Sequence, residues 1–292
     1  LHLSIRRQRQ MCIRDSSITA HDPNVETRMA KNNNYFLGIS EMAPDEAILR
    51  YNLDAPTVRT LISNDEHDIS SNWLPTDVKA AIGNSGDKLA KVVSAGGWYF
   101  KINTTRAPLD DVNCRKSLAY GLDYDSLVGT FQVTDDIAAG QKARGPIPQG
   151  MIGYSENVPL VEYNLDKARD YLSKCKYSGD DLKVTINWIA EVPFEESWAL
   201  ILQQGAMAIG YDATVETLPW AVFTEQVTKP ETTPNLSIVA VQAQTPDPDG
   251  LIYNMYHSAA AGTWQSTEWV QDDKIDAMLN ACLLYTSDAA DE

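Results

Sequence analysis

Cysteine is scarce, four in 292 residues, which excludes a small disulfide-stapled scaffold. Histidine is equally sparse, and His21, His67 and His257 share no metal-ligand spacing. No metal is expected, and His67 between Glu66 and Asp68 reads as a surface residue. Basic residues are outnumbered, 24 Lys and Arg against 40 Asp and Glu, for a net charge of −16. A chain so short of cationic groups cannot meet a phosphate backbone over a large area, which excludes nucleic acid as a partner. No run approaches the roughly 18 apolar residues of a membrane-spanning helix. There is no Gly-rich phosphate cradle, internal repeat or low-complexity segment, so no cofactor is expected. What is present is ordinary for a globular chain: 43% hydrophobic and 22% charged residues, at a length that suits two domains or one large one.

The two ends stand apart. Residues 6–16 and residues 282–292 are encoded by one DNA string and by its reverse complement read one base in. Unrelated protein segments do not stand in that relation, and the string resembles a transposon-type sequencing adapter. Residues 1–16 and 282–292 are therefore expected to be translated adapter, with Ser17 to Ala281 as the insert and both natural termini missing. The ends hold as many acidic as basic residues, so the acidity belongs to the insert.

Within the insert, short strand-like runs and helical stretches alternate. Residues 28–37 read as strand, turn, strand, and Glu46–Tyr51 alternates polar and apolar as a half-buried strand does. Asp54 caps a helix that begins near Pro56 and ends at Ser63–Asn64, and Pro75 starts another that stops at Gly83. Lys91–Val93 and Trp98–Ile102 read as strands. Asp110 then caps a helix reaching Leu122, Asp123 opens a further one, and a Gly/Pro-rich connection runs from Gly140 to Pro159. Asn164 caps an amphipathic helix. Leu182–Ile189, Thr214–Leu218 and Leu236–Val241 read as strands; Glu195–Ile209, Trp220–Val227 and Asp273–Ala281 read as helices. Strands and helices in alternation predict an α/β fold.

Candidate chemistry is thin. Gly83–Asp87 has the composition of a serine-nucleophile loop but reads as a polar turn. Cys114 lies off the apolar face of its helix and Cys175 on the face of another, so both read as unpaired thiols, with a bridge left to geometry. Asp247-Pro248-Asp249 pairs two carboxylates as acid–base catalysis needs. A proline-fixed turn before an apolar segment makes helix capping the better reading. Trp98, Trp188, Trp220, Trp264 and Trp269 sit at element ends and loops, where aromatics line a cleft or close a core.

Five segments in order resemble the bacterial extracellular solute-binding proteins of family 5, the oligopeptide, dipeptide and nickel group that serves ABC importers. Ala107 to Asp123, "APLDDVNCRKSLAYGLD", resembles the family's "PFxDxRVRQALxYAIDR" helix. "GPIPQGMIG" at residues 145–153, followed by Tyr163–Arg169, is similar to its proline loop and "YDPEKAKxLL" helix. Thr245 to Ser258, "TPDPDGLIYNMYHS", is similar to "DPDGFLYPLFHS". Weaker matches lie at Asn33–Phe36 and Thr57–Ile69.

The resemblance implies a two-lobed fold of the periplasmic-binding-protein type II kind that closes on ligand. Residues 17–100 would be part of the first lobe and 101–281 the second, ligand-binding lobe, each incomplete because full members are about twice as long. It implies a monomeric, extracytoplasmic lipoprotein that passes a small solute, peptide or oligosaccharide, to an ABC permease. Peptide-binding members often hold the ligand's amino group with an Asp where this chain has Gln244, near Gln242. Neutral amides favour a neutral or hydroxyl-rich solute. Gln242 and Gln244 are expected to face the cleft, with Trp188 and Glu191 nearby and Trp264 as a stacking surface. Two alternatives stand beside this: a glycoside hydrolase whose two carboxylates are among Asp247, Asp249 and Glu191, and a sensory binding protein docking on a receptor.

Overall fold

The computed structural model describes residues 14–70, 74–84, 86, 89, 90, 92 and 94–288, the last six without side chains. The expected strand at Lys91–Val93 falls largely outside them, as do Ser85 and Asp87 of the expected Gly83–Asp87 turn, whose Gly83 and Asn84 end a helix instead. The chain divides into two compact units, parting between residues 71 and 72.

The first unit is a three-stranded antiparallel sheet, β1 (Ser16–Asp22), β2 (Glu26–Lys31) and β3 (Glu46–Arg50), in that order. Its hairpin reaches past Ser17, since the Asn32 amide donates to the carbonyl of Asp15 and its side-chain Nδ2 to that of Arg14. Both bonds end on backbone carbonyls of the flanking residues, so these are recruited whatever their side chains. Residues 35–37 form a turn rather than the expected strand. Helix α1 (Ala55–Ser63) is capped by Asp54, whose Oδ1 accepts from the Thr57 amide at 2.8 Å.

The second unit begins with α2 (Thr76–Asn84) and is built on a four-stranded sheet. Its strands are β4 (Gly96–Ile102), β7 (Lys183–Ile189), β8 (Asp212–Leu218) and β9 (Leu236–Gln242), in the order β4-β9-β7-β8. β7 runs parallel to both β8 and β9, and β4 runs antiparallel to β9. A two-stranded ribbon, β5 (Gln132–Thr134) and β6 (Ile137–Ala138), lies apart from it.

Period-2 alternation gives the sheet two apolar faces. Trp98, Phe100, Val184, Ile186 and Ile238 pack on one side with α3 (Val112–Gly121), α5 (Leu165–Ser173) and α6 (Glu195–Ile209). On the other, Ile189, Val239 and Val241 pack with α7 (Trp220–Gln226), α8 (Asp249–Tyr256) and the Ile147–Met151 loop. Helices on both faces of a mainly parallel sheet are the α/β arrangement expected. In α6, Trp198, Leu202, Ala206 and Ile209 recur at helical spacing and are buried. Gly205 lets α6 cross α3 closely: a Cβ there would meet the Gly121 carbonyl oxygen at 2.4 Å.

Two local expectations are corrected. Asp111, not Asp110, caps α3, its Oδ1 accepting from the Asn113 amide; Asp110 instead pairs with Lys176. Cys114 is fully buried and bonded to Cys175 in a disulfide with Cα atoms 5.2 Å apart. The helical wheel misplaced Cys114 because α3 packs on two sides, against α5 as well as α6. Helix α4 (Tyr124–Gly129) is capped by Asp123, and α9 (Asp273–Asp288) extends beyond Ala281. Among the described residues no helix is long and apolar enough to cross a membrane.

Candidate functional site

The carboxyl ends of β7, β8 and β9 share one edge of the sheet, because the three strands are parallel. Gly96, opening the antiparallel β4, lies there too, opposite Gln242. Its lack of a side chain is required, since a Cβ would sit 2.0 Å from the Val241 carbonyl oxygen. Ligands of open α/β sheets gather at such edges, where loops replace strand pairing.

Beyond β7 the chain makes a tight turn. The Ala190 amide donates to the Leu218 carbonyl and the Val192 amide to that of Ile189. Glu191 points outward and both its oxygens accept from the Trp220 amide, at 2.9 and 3.1 Å. That amide opens α7, where the first N–H groups have no partner within the helix and the dipole favours a carboxylate. Trp220 is thereby placed edge-on to Trp264, with ring centroids 5.2 Å apart at 69°. Trp220 is 37% exposed, and the fully buried Phe223 supports it from below.

Gln242 ends β9 and is exposed. Gln244, also exposed, follows the buried Ala243, whose amide is tied to the Ala95 carbonyl. Asp247 Oδ1 accepts from the Asp249 amide at the start of α8, the capping role expected of it. The proline loop packs beneath this face: Ile147 and Met151 join the apolar cluster, and the Tyr99 hydroxyl donates to the Pro146 carbonyl at 2.7 Å.

Of the expected residues, the structure thus sets Glu191 and Trp264 on either side of Trp220, and Gln242 and Gln244 at the end of β9. Trp188 differs. It lies on the opposite sheet face, packed half-buried against the cluster that holds Trp198. Strand parity decides this: Ile189 packs in the cluster on the α7–α8 face, and the adjacent Trp188 must point to the opposite face.

Two groups went unread in the sequence. Glu195 is 1% exposed; its Oε1 accepts from Trp98 Nε1 at 2.9 Å and its Oε2 from the Ile189 amide at 3.0 Å. Burial pushes its carboxyl up to about 7, against the pull of those two bonds. Lys101, buried on the other face, donates from Nζ to Glu268 Oε1 and to the Gln265 carbonyl, both at 2.7 Å. Burial lowers the Lys101 ammonium and raises the Glu268 carboxyl. This pair ties the loop carrying Trp264 to β4. A buried charge leaves no trace in an amphipathic pattern except as an apparent error, and Glu195 reads as an ordinary first-turn acid.

Asp111, Cys114 and Cys175 bring ligand-type atoms within 4.8 Å of one another, but both sulfurs are committed to the disulfide. Such a cluster cannot offer thiolates to a metal.

The α/β fold is that of the type II periplasmic binding proteins, with its loops gathered at one sheet edge. Residues 17–263 match the sequence profile of the bacterial extracellular solute-binding proteins, family 5 (middle), and the chain belongs to that family. It is 24% identical over 229 residues to the probable D,D-dipeptide-binding periplasmic protein DdpA of Escherichia coli, covering 78% of this chain and 43% of that protein. It is 24% identical over 196 residues to heme-binding protein A of Haemophilus influenzae, covering 65% of this chain and 34% of that one. Its fold matches the oligopeptide-binding protein AppA of Bacillus subtilis, solved with a nonapeptide, at a TM-score of 0.73 and 19% identity; the match spans 91% of this chain and 54% of that one. The chain thus spans about half, or less, of the proteins it matches.

Proposed function

We propose that this chain belongs to the extracytoplasmic solute-binding component of an ABC importer, its two lobes dividing between residues 71 and 72 rather than at residue 100, because β4 (Gly96–Ile102) is one unbroken strand of the second unit. It captures a small solute at the carboxyl edge of the sheet and delivers it to the membrane permease, without chemistry. The observation that carries this is the make-up of the edge: two exposed amides, Gln242 and Gln244, and the Trp220–Trp264 pair. Neutral donors and acceptors beside aromatic faces suit a peptide backbone or the hydroxyls and apolar faces of a sugar. Gln244 disfavours a solute held by its ammonium group. The disulfide supports an oxidising compartment outside the cytoplasm, where a lipid anchor would hold the protein near its permease.

The hydrolase alternative is not favoured. Glu191 and Asp247 are both occupied as helix caps, so no pair of carboxylates is left poised across the edge. The test is a titration with panels of short peptides and oligosaccharides, followed by tryptophan emission. A saturable change with one class, abolished in Trp264→Ala, is expected. Turnover of the added compound, or a response unaffected by that substitution, would contradict the reading.

A further inference from the structure

Glu195 lies beneath the edge and touches none of its exposed side chains, yet it holds the turn from which Glu191 projects. One carboxylate joins three elements: its own helix α6, the Trp98 indole of β4, and the Ile189 amide at the end of β7. The chain from Ile189 to Glu195 is closed at both ends. The Val192 amide donates to the Ile189 carbonyl, and the Glu195 amide to that of Val192. Two residues link the fixed Ile189 amide to the Trp220 amide: Ala190 bonds to β8, and Glu191 reaches across to α7.

We infer that Glu195 is a positioning residue for the solute-binding edge, fixing the Ile189–Val192 turn so that Glu191 can hold the first turn of α7 and with it Trp220. This rests on the edge being the solute site.

The chemistry of the carboxylate makes the device specific. Ionised, both oxygens accept, and both N–H groups are satisfied. With a proton on one oxygen, or an amide in its place, one acceptor becomes a donor facing an N–H group, and a buried donor loses its partner. Charge partners do not blur this, because none of the described residues packed against Glu195 brings one. Glu191 faces α7, Glu196 is exposed on the outside of α6, and Lys101 points to the other sheet face with Glu268. The surroundings are instead aromatic: Trp98, Phe194 and Trp198, with ring centroids 5.0–5.6 Å apart.

The experiment is amide hydrogen exchange read by NMR on the whole chain, without solute, so that it stands or falls independently of whether the edge binds anything. Wild type, Glu195→Gln and Glu195→Ala are compared at pH 8, with Val239 in the centre of the sheet as reference. Loss of one buried bond lowers local protection by about tenfold. Protection at Ile189 and at Trp220 is expected to fall by about that factor in Glu195→Ala, and to a smaller extent in Glu195→Gln, while Val239 holds. In wild type, Trp220 protection corrected for intrinsic exchange should fall as pH drops through the titration of Glu195, with a flat profile in Glu195→Gln. If Glu195→Ala does not fold, that pH comparison decides. Loss at Ile189 alone, or loss at Trp220 only in parallel with Val239, would overturn the inference.

Discussion

One buried carboxyl, that of Glu195, should make stability depend on pH in a way that one substitution isolates. The Glu195 carboxyl is raised from 4.5 to about 7 because it is buried among rings, where its charged form is disfavoured. In the unfolded chain it ionises near the ordinary value, so between these limits the folded protein carries a proton that the unfolded chain has lost. The contribution to stability is therefore complete below about pH 4.5 and disappears as pH rises through about 7. At about 1.4 kcal/mol per unit, the loss amounts to about 3 kcal/mol. Glu195→Gln imitates the protonated acid and cannot ionise. Urea unfolding of both proteins, followed by far-UV circular dichroism from pH 5 to pH 8, isolates the term, because the other acidic groups are common to both. The variant should match wild type at the acid end and exceed it by about 3 kcal/mol at pH 8. Parallel curves, with a constant difference at every pH, would refute the argument that burial dominates at this site.

The buried Lys101–Glu268 pair should tolerate no half-removal. Lys101→Ala leaves Glu268 buried without its cation and is expected to cost about 3–5 kcal/mol in denaturant unfolding, with Glu268→Gln milder because the amide oxygen still accepts from the Lys101 ammonium. The disulfide closes a segment of 61 residues between α3 and the end of α5. Cys114→Ala with Cys175→Ala, or reduction with dithiothreitol, should lower stability by about 2–4 kcal/mol, measured as a shift in the urea midpoint.

Much of the fold was legible because its signals are local. Asp54, Asp123 and Asn164 each accept from a first-turn amide of the helix they precede. The span of α6 agrees with its apolar spacing, from Glu195 to Ile209. β7, β8 and β9 stand where alternation or a continuous apolar run placed them. The β5–β6 ribbon was not legible, since two strands of three and two residues carry no period. At the site, Gln242 and Glu191 follow from the carboxyl ends of their strands, whereas Gln244 rests on the family resemblance and Trp264 on the break at Gly262. Trp188 could not be placed so, because which sheet face carries which helices is a tertiary choice. Trp220 joins the edge through its backbone amide, a contact that its side-chain type does not announce. Cys114 and Cys175 meet only because α3 and α5 lie side by side.

The central claim is that solute is gripped at the end of β9. Isothermal titration of the bound solute class into wild type and Gln244→Ala tests it most directly. Removing an amide that pairs with a buried ligand group should weaken binding by about 1–3 kcal/mol, while the exposed position of Gln244 leaves the unfolding midpoint in place. Gln244→Asp should turn preference toward solutes carrying an ammonium group. Unchanged affinity in a folded Gln244→Ala protein would contradict the assignment of this edge as the binding site.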